Sequence, residues 1–299
     1  MGITNFPGGI SSYGGVLTAG YDGSGTTYFV DGNSGNDGND GKSWEAAFKT
    51  LATAFAASHA DIARGADRWA RRNTIYIAGD SFEEDLVAFP QKTDIIGVGS
   101  YNGHDGPNVL GNHVPVNACV GTRWYNVNFE PVAAGDIMTL VAANWGMEFH
   151  GCTFRAAGTL TAVSAIDMTA VPHVRIIGNR FLGNFSGDVI DIGAGAVDDL
   201  IIADNFILGG DNDGIVVTGT TTVSAKRTGL IVNNYIQVDN VTISDGADST
   251  LSVINNRCIS AAALGATSHV ITAAFSAGNI VTGNGVSTMV PALIGVSST

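Results

Sequence analysis

From about residue 120 onward, apolar residues come in bursts of three or four, separated by Gly, Asp or Asn, and the bursts recur. One recurring element is a polar residue, a spacer and an apolar residue: Asn179-Arg-Phe181, Asp204-Asn-Phe206, Asn233-Asn-Tyr235, Asn256-Arg-Cys258 and Asn279-Ile-Val281. The steps between the polar members are 25, 29, 23 and 23, and Phe154 and Phe129 extend the apolar series upstream. A second element lies between these: IMTL from Ile137, AIDM from Ala165, VIDI from Val189, GIVV from Gly214, VTIS from Val241 and VITA from Val270. Within VIDI, Ile190 and Ile192 flank Asp191, the alternation of a strand that sends one set of side chains inward.

A period in the mid-twenties made of strands alone predicts a solenoid. Each block is one coil that cannot bury its apolar face by itself, and stacking coils about 4.8 Å apart buries a continuous core. The Phe/Tyr series is expected to form an internal column. The Asn/Asp series is expected to form a ladder of side chains at a turn, where the bend leaves backbone groups without partners. The fold expected is all-β, a right-handed parallel β-helix over 73–299. A leucine-rich horseshoe would need a Leu-x-x-Leu-x-Leu signature, and a β-sandwich would not show so regular a period.

Upstream the pattern changes. TTYFVD reads as a short strand, and WEAAFKTLATAFAA places Trp44, Phe48, Leu51 and Phe55 on one stripe of a helix with Ser43 as its N-cap. Between them lies DGNSGNDGNDGKS, Asp31 to Ser43. It ends like a phosphate-binding loop, but Asn36 stands where the first Gly is needed, and Asp31, Asp37 and Asp40 would repel a phosphate. It is also unlike an EF-hand loop, which needs Gly where Asn36 stands and Glu where Lys42 stands. A polar turn is the expectation. Residues 28–72 thus form a strand, a turn and a helix. Residues 1–27 are Gly-rich and lack helical periodicity, which predicts an extended arm with Ile3, Phe6, Ile10, Tyr13, Val16 and Leu17 as partner-binding anchors.

Composition narrows the function. The formal charge of −13 argues against a nucleic-acid partner, which would require a basic patch. The basic cluster Arg64, Arg68, Arg71 and Arg72 reads as a solvated helix face. No apolar run is long enough to cross a bilayer, and no secretion signal is seen. Cys119, Cys152 and Cys258 are too few and too odd for a disulfide framework and are expected in the core. Only 14% of residues are charged and the mean hydropathy is +0.21, more apolar surface than a lone solenoid should expose. A homo-oligomer follows, a trimer packed along the flanks.

TIYIAGDSFEEDLVAF and TDIIGVGSY, within Thr74 to Tyr101, resemble the first coils of pectate-lyase-like β-helix proteins, and YFVDGNSGNDGNDGKSWEAAFKTLATA resembles their usual entry, which implies that the helix caps the open end of the solenoid. The resemblance covers roughly 28–299 and implies the fold, not the activity, because enzymes, adhesins and viral fibres share it. MGITNFPGGISSYGG resembles the N-termini of tailed-bacteriophage structural proteins. That implies a virion protein, assembled in the host cytoplasm, whose partners are other capsid or tail proteins.

For chemistry, the strongest acidic set is Asp188, Asp191, Asp211 and Asp213, with Asp188 and Asp213, and likewise Asp167 and Asp191, about one period apart. Glycoside hydrolysis needs two such carboxylates. GDNDG departs from the Gly-Asp-Asp of polygalacturonase-like enzymes by an inserted Asn. A lyase would need a base, for which Arg175, Arg180, Lys226 and Arg227 are available. His104 and His113, with Asp105, share a loop but lack metal-site spacing, so neither a metal nor another cofactor is expected. Trp124, Tyr125 and Trp145 are candidates for a sugar-stacking platform. The reading preferred is a non-enzymatic capsid decoration protein or head or tail fibre. The alternatives are a tailspike-like polysaccharide depolymerase, lyase or hydrolase, and a non-catalytic adhesin that binds surface polysaccharide.

Overall fold

A computed structural model describes residues 25–64, 71–79, 81–99, 106–156, 162–193, 198–218, 227–245, 249–261 and 275–283. Of 227–228, 245, 249–250, 275 and 283, and of the short segments 11–12, 15–16, 286–289 and 293–294, it describes only the backbone. The chain is a parallel β-solenoid with a single described helix. Two sheets of 11 and 10 strands run along it, and a third of five strands spans its middle coils, from Met138 to Asp245. The first holds strands such as Arg123–Tyr125, Glu148–His150, Arg175–Ile177 and Leu200–Ala203; the second Asn128–Glu130, Thr153–Ala156, Arg180–Gly183 and Phe206–Leu208; the third Met138–Leu140, Ile166–Met168, Ile190–Ile192, Ile215–Val217 and Ile243–Asp245. Each strand pairs in parallel with the equivalent strand one coil away, so like positions stack.

Inward positions form columns. On the second sheet the column is Phe129, Phe154, Phe181, Ile207, Ile236, Cys258 and Val281, all buried. On the third, Ile166, Ile190, Ile215 and Ile243 stack, with Asp167 and Asp191 alternating outward as expected. All three cysteines are free and buried. The VITA segment lies outside the described residues.

The turn between the first and second sheets carries the polar ladder, with a register that corrects the sequence reading. Its members are Asn179, Asn205, Asn234, Asn256 and Asn279, not Asp204 and Asn233. The Asn205 Oδ1 accepts from the Asn179 backbone N–H at 2.8 Å and from its Nδ2 at 3.1 Å, while Asn205 Nδ2 donates to the Ile176 carbonyl at 2.8 Å and to Asn234 Oδ1 at 2.9 Å. The same contacts repeat to Asn279. The residue before each Asn turns the corner in the left-handed region: φ is 67° at Gly178, 57° at Asp204 and Asn233, 54° at Asn255 and 68° at Gly278. Asx residues and Gly tolerate that conformation. Because the ladder takes Asn205 and Asn234, Phe206 and Tyr235 fall outside the core column. They stack on each other outdoors, centroids 5.0 Å apart, between the guanidiniums of Arg180 and Arg257. Ring faces are thus occupied by neighbouring side chains, and only edges meet solvent.

The helix is Leu51–Ala63, shorter than expected. Thr50, not Ser43, is its N-cap, and the Glu84 carboxylate accepts from the Leu51 and Ala52 N–H groups at 2.8 and 2.9 Å. Residues 36–50 cannot join it because they are tied to the strand Thr27–Asp31: Phe29 N–H donates to Gly41 O, and Phe48 exchanges bonds with Phe29 and Asp31. Trp44 is accordingly exposed, against Phe29. Phe55 packs on Phe89 and Trp124, so the helix shares the solenoid core. Arg71 and Arg72 lie beyond the helix and pair with Asp61 and Asp94, which replaces the expected solvated helix face; Arg68 is outside the described residues.

The stretch Asp31 to Ser43 is a turn. Asp31 accepts from Asn33 and Ser34, Asn36 from Gly38, Asp40 from Lys42, and Asp37 holds the Lys49 and Thr50 N–H groups, both at 2.9 Å. At the other end, Ile280–Gly283 pairs antiparallel with Val286–Met289, and Phe275–Ala277 with Leu293–Ile294. The N-terminal end of the first sheet is backed by residues 41–48, bonded to Thr27–Asp31, which blunts edge-to-edge growth there.

Candidate functional site: an acidic column on the third sheet

Asp167 and Asp191 point outward from neighbouring strands and are paired in register, so one coil, about 4.8 Å, separates them. Two residues before each third-sheet strand lies a second column that includes Asp136, Asp188 and Asp213. These carboxylates also brace the turn. Asp136 accepts from the Ser164 N–H at 3.0 Å, Asp213 from the Val241 N–H at 2.9 Å, and Asp188 from Asn212 Nδ2 at 2.8 Å.

Partial burial, with Asp136 and Asp191 nearby, pushes the Asp167 carboxyl up to about 6. Burial, with Asp213 and Asp191 beside it, pushes Asp188 up to about 6 as well. Asp191 is raised too, by burial first and Asp136 second. Among the described residues none of the three has an ion-pair partner. Asp211 is exposed on the turn and does not join the pair. Sequence reasoning found Asp188, Asp191 and Asp213 but missed Asp136. The signal was present, since GDIMTL repeats the Gly-Asp of GDVIDI.

Raised carboxyl values have a definite sign. The folded chain holds these protons more tightly than the unfolded chain, so the penalty is full above about pH 6 and disappears as pH falls toward the ordinary carboxylate range. Glu148 works the other way: a hydrogen bond from His150, with Arg123 and Arg175 alongside, lowers its value, so its contribution is lost only at stronger acidity. His113 opposes them over the same range, because burial lowers it to about 4 and the unfolded chain takes up its proton first. The carboxyls are therefore read from a difference: Asp167→Asn with Asp188→Asn should raise the thermal midpoint of a dilute, single-copy sample by more at pH 7 than at pH 5; an equal shift at both would show the two carboxyls to be ordinary.

The basic candidates are elsewhere. Arg175 belongs to a charge ladder outside the first sheet, Asp94–Arg123–Glu148–Arg175–Asp199, and Arg180 lies over Phe206 on the second. The side chains of Lys226 and Arg227 are outside the described residues. The aromatic platform does not assemble: Trp124 is buried in the core, Tyr125 stacks on His150, and Trp145 sits half exposed beside His173. His113 is buried with Nδ1 accepting from the Leu86 N–H, and burial lowers it to about 4; His104 lies outside the described residues. Among the described residues no three His, Cys, Asp or Glu side chains are arranged for a metal ion. A mostly apolar cavity of about 470 Å³ lies between the helix and 84–89, lined by Phe55, His59, Leu86 and Phe89 with Glu84 and Asp85 at its wall, and is separate from the third-sheet acidic column.

No family model, characterised protein or solved structure matches the chain, so neither resemblance drawn from the sequence is reproduced by comparison.

Proposed function

We propose that the chain is a structural component of a bacteriophage particle, a capsid decoration protein or a head or tail fibre. Residues 1–27 attach it and copies associate through the sides of the solenoid, as a trimer. The observation that carries this reading is how the polar groups are used. Side chains that could have formed a cleft instead tie coil to coil: the Asn ladder inside the turn, the charge ladder outside the first sheet, and Asp136, Asp188 and Asp213 on the third. Such a molecule is a stiff spacer whose sides are available for association. The arm anchors Ile3, Phe6, Ile10, Tyr13 and Leu17 lie outside the described residues. Of the arm, the backbone of Ser11–Ser12 pairs antiparallel with Gly15–Val16. Deleting residues 1–24, which spares the strand Thr27–Asp31 and the bonds of Thr26 to Asn73 and Asp61, should leave the circular dichroism spectrum and oligomer mass intact while abolishing co-purification with particles; undiminished incorporation would contradict attachment through the arm.

A second reading is favoured by the register of Asp167 with Asp191, whose separation by one coil is near the roughly 5–5.5 Å of retaining glycosidases. Reducing-sugar release from a host surface polysaccharide, abolished by Asp191→Ala, would establish a depolymerase in place of the structural role. Binding without release would establish an adhesin.

A further inference from the structure

Two sides of the solenoid match coil by coil. In the coil that contains Thr153–Ala156 and Ile166–Met168, the second sheet presents Arg155 and the third presents Asp167. In the next coil the second presents Arg180 and the third Asp191. One coil further on, Phe206 and Leu208 stand level with Val216, and after that Tyr235 and Gln237 with Ser244. The two arginines stand in adjacent columns, Arg155 beside Leu182 and Arg180 between Thr153 and Phe206, whereas Asp167 and Asp191 share one; coil by coil, one side reads basic, basic with Leu182, apolar, polar, and the other acidic, acidic, apolar, polar.

Within one chain Arg155 reaches Glu130 at 3.5 Å, and Arg71, Arg72, Arg123 and Arg175 each have a carboxylate, whereas among the described residues Arg180 pairs with no carboxylate and lies on the Phe206 ring. A guanidinium lying on a ring keeps its outer N–H edge available for a carboxylate. Among the described residues Asp167 and Asp191, like Asp188, have no ion-pair partner.

Resting on the proposed self-association, we infer that a second copy of this chain docks on the outer face of the second sheet through its third sheet. The axes are parallel, with Arg155 facing the neighbour's acidic strip at the level of Asp167 and Arg180 at the level of Asp191. The two faces differ, so the contact is head-to-tail, and a rotation of one third of a turn per copy closes it into the proposed trimer. Coils repeat at the same spacing in every copy, so one correct pair brings the others level. Phe206 and Leu208 then cover Val216, hiding part of the apolar surface of the C-terminal half.

Sedimentation velocity on the full chain tests this. Arg155→Glu with Arg180→Glu should weaken association about 100-fold, and so should Asp167→Arg with Asp191→Arg, because like charges then meet. The chain with all four changes should regain the wild-type mass. In case charge reversal prevents folding, Arg180→Cys with Asp191→Cys should give reducible cross-links between copies on oxidation, whereas Arg180→Cys with Ser244→Cys, two coils out of level, should not. Wild-type mass in both charge-reversed pairs, or equal cross-linking in both cysteine pairs, would overturn this interface and leave self-association standing. A wild-type chain that stays single at every concentration would overturn self-association itself, while attachment through the arm is judged by its own deletion.

Discussion

Asn205→Ala should lower the free energy of unfolding by about 3–5 kcal/mol, read from urea or thermal transitions. The side chain is fully inside the turn and serves two coils at once. Removing it withdraws the acceptor from the Asn179 backbone N–H and Nδ2 and the donor from the Ile176 carbonyl. Each buried polar group left without a partner costs about 1–3 kcal/mol, and a domain has only about 5–15 kcal/mol in hand. Asn205→Asp should be no rescue. A carboxylate keeps both acceptors, but it loses both donations and places a negative charge against Asn234 Oδ1. Asp204→Ala, at the neighbouring corner position, removes no ladder bond and should be milder, limited by its left-handed φ of 57°. Equal losses at 204 and 205 would mean that the ladder runs through the other residue.

Phe154→Ala should be as damaging, by about 3–5 kcal/mol, and Phe206→Ala should lose only about 1 kcal/mol. Phe154 is sandwiched in the core between Phe129 and Phe181, centroids 5.0 and 5.1 Å away, with Phe149 edge-on at 5.5 Å. No side chain of the surrounding columns can close the hole without leaving its own coil. Phe206 occupies the equivalent place in the sequence pattern but lies outside, in contact with Tyr235 and Arg180, and water takes over the vacated surface. The contrast between two phenylalanines that look alike in the sequence measures the register directly.

The repeat made the solenoid legible before any coordinates. The stepping of Phe129, Phe154 and Phe181, and of Ile166, Ile190 and Ile215, is what stacked parallel coils require. What the repeat could not fix was which of two adjacent Asx residues enters the ladder. In Asp204-Asn205 and Asn233-Asn234 both residues suit a turn, and the choice follows from backbone conformation: the first must be left-handed, and the second must both donate and accept. An Asp cannot donate, so Asn205 is selected over Asp204; for Asn233 and Asn234 the side-chain chemistry is the same, and only position decides. The helix start failed for a different reason. The apolar stripe from Trp44 to Phe55 is real as a pattern, but contacts from Gly41 and Phe48 to the first strand compete with helix formation before Thr50. The acidic column was partly legible, since period alone pairs Asp167 with Asp191. The absence of cations around it depends on the sides of the coil to which Arg175 and Arg180 are assigned, which spacing does not reveal.

The measurement that bears most directly on the stacked-coil account is an electron paramagnetic resonance distance between spin labels at positions 177 and 254, with labelled chains diluted among unlabelled ones. Ile177, Ala203, Val232 and Ile254 lie one above another on the outer face of the first sheet. Three coil spacings place the labelled backbone positions about 14 Å apart despite their separation along the chain. A narrow distribution near that value is expected; a distance far beyond it, or none resolved, would mean that the blocks are not coils piled in parallel.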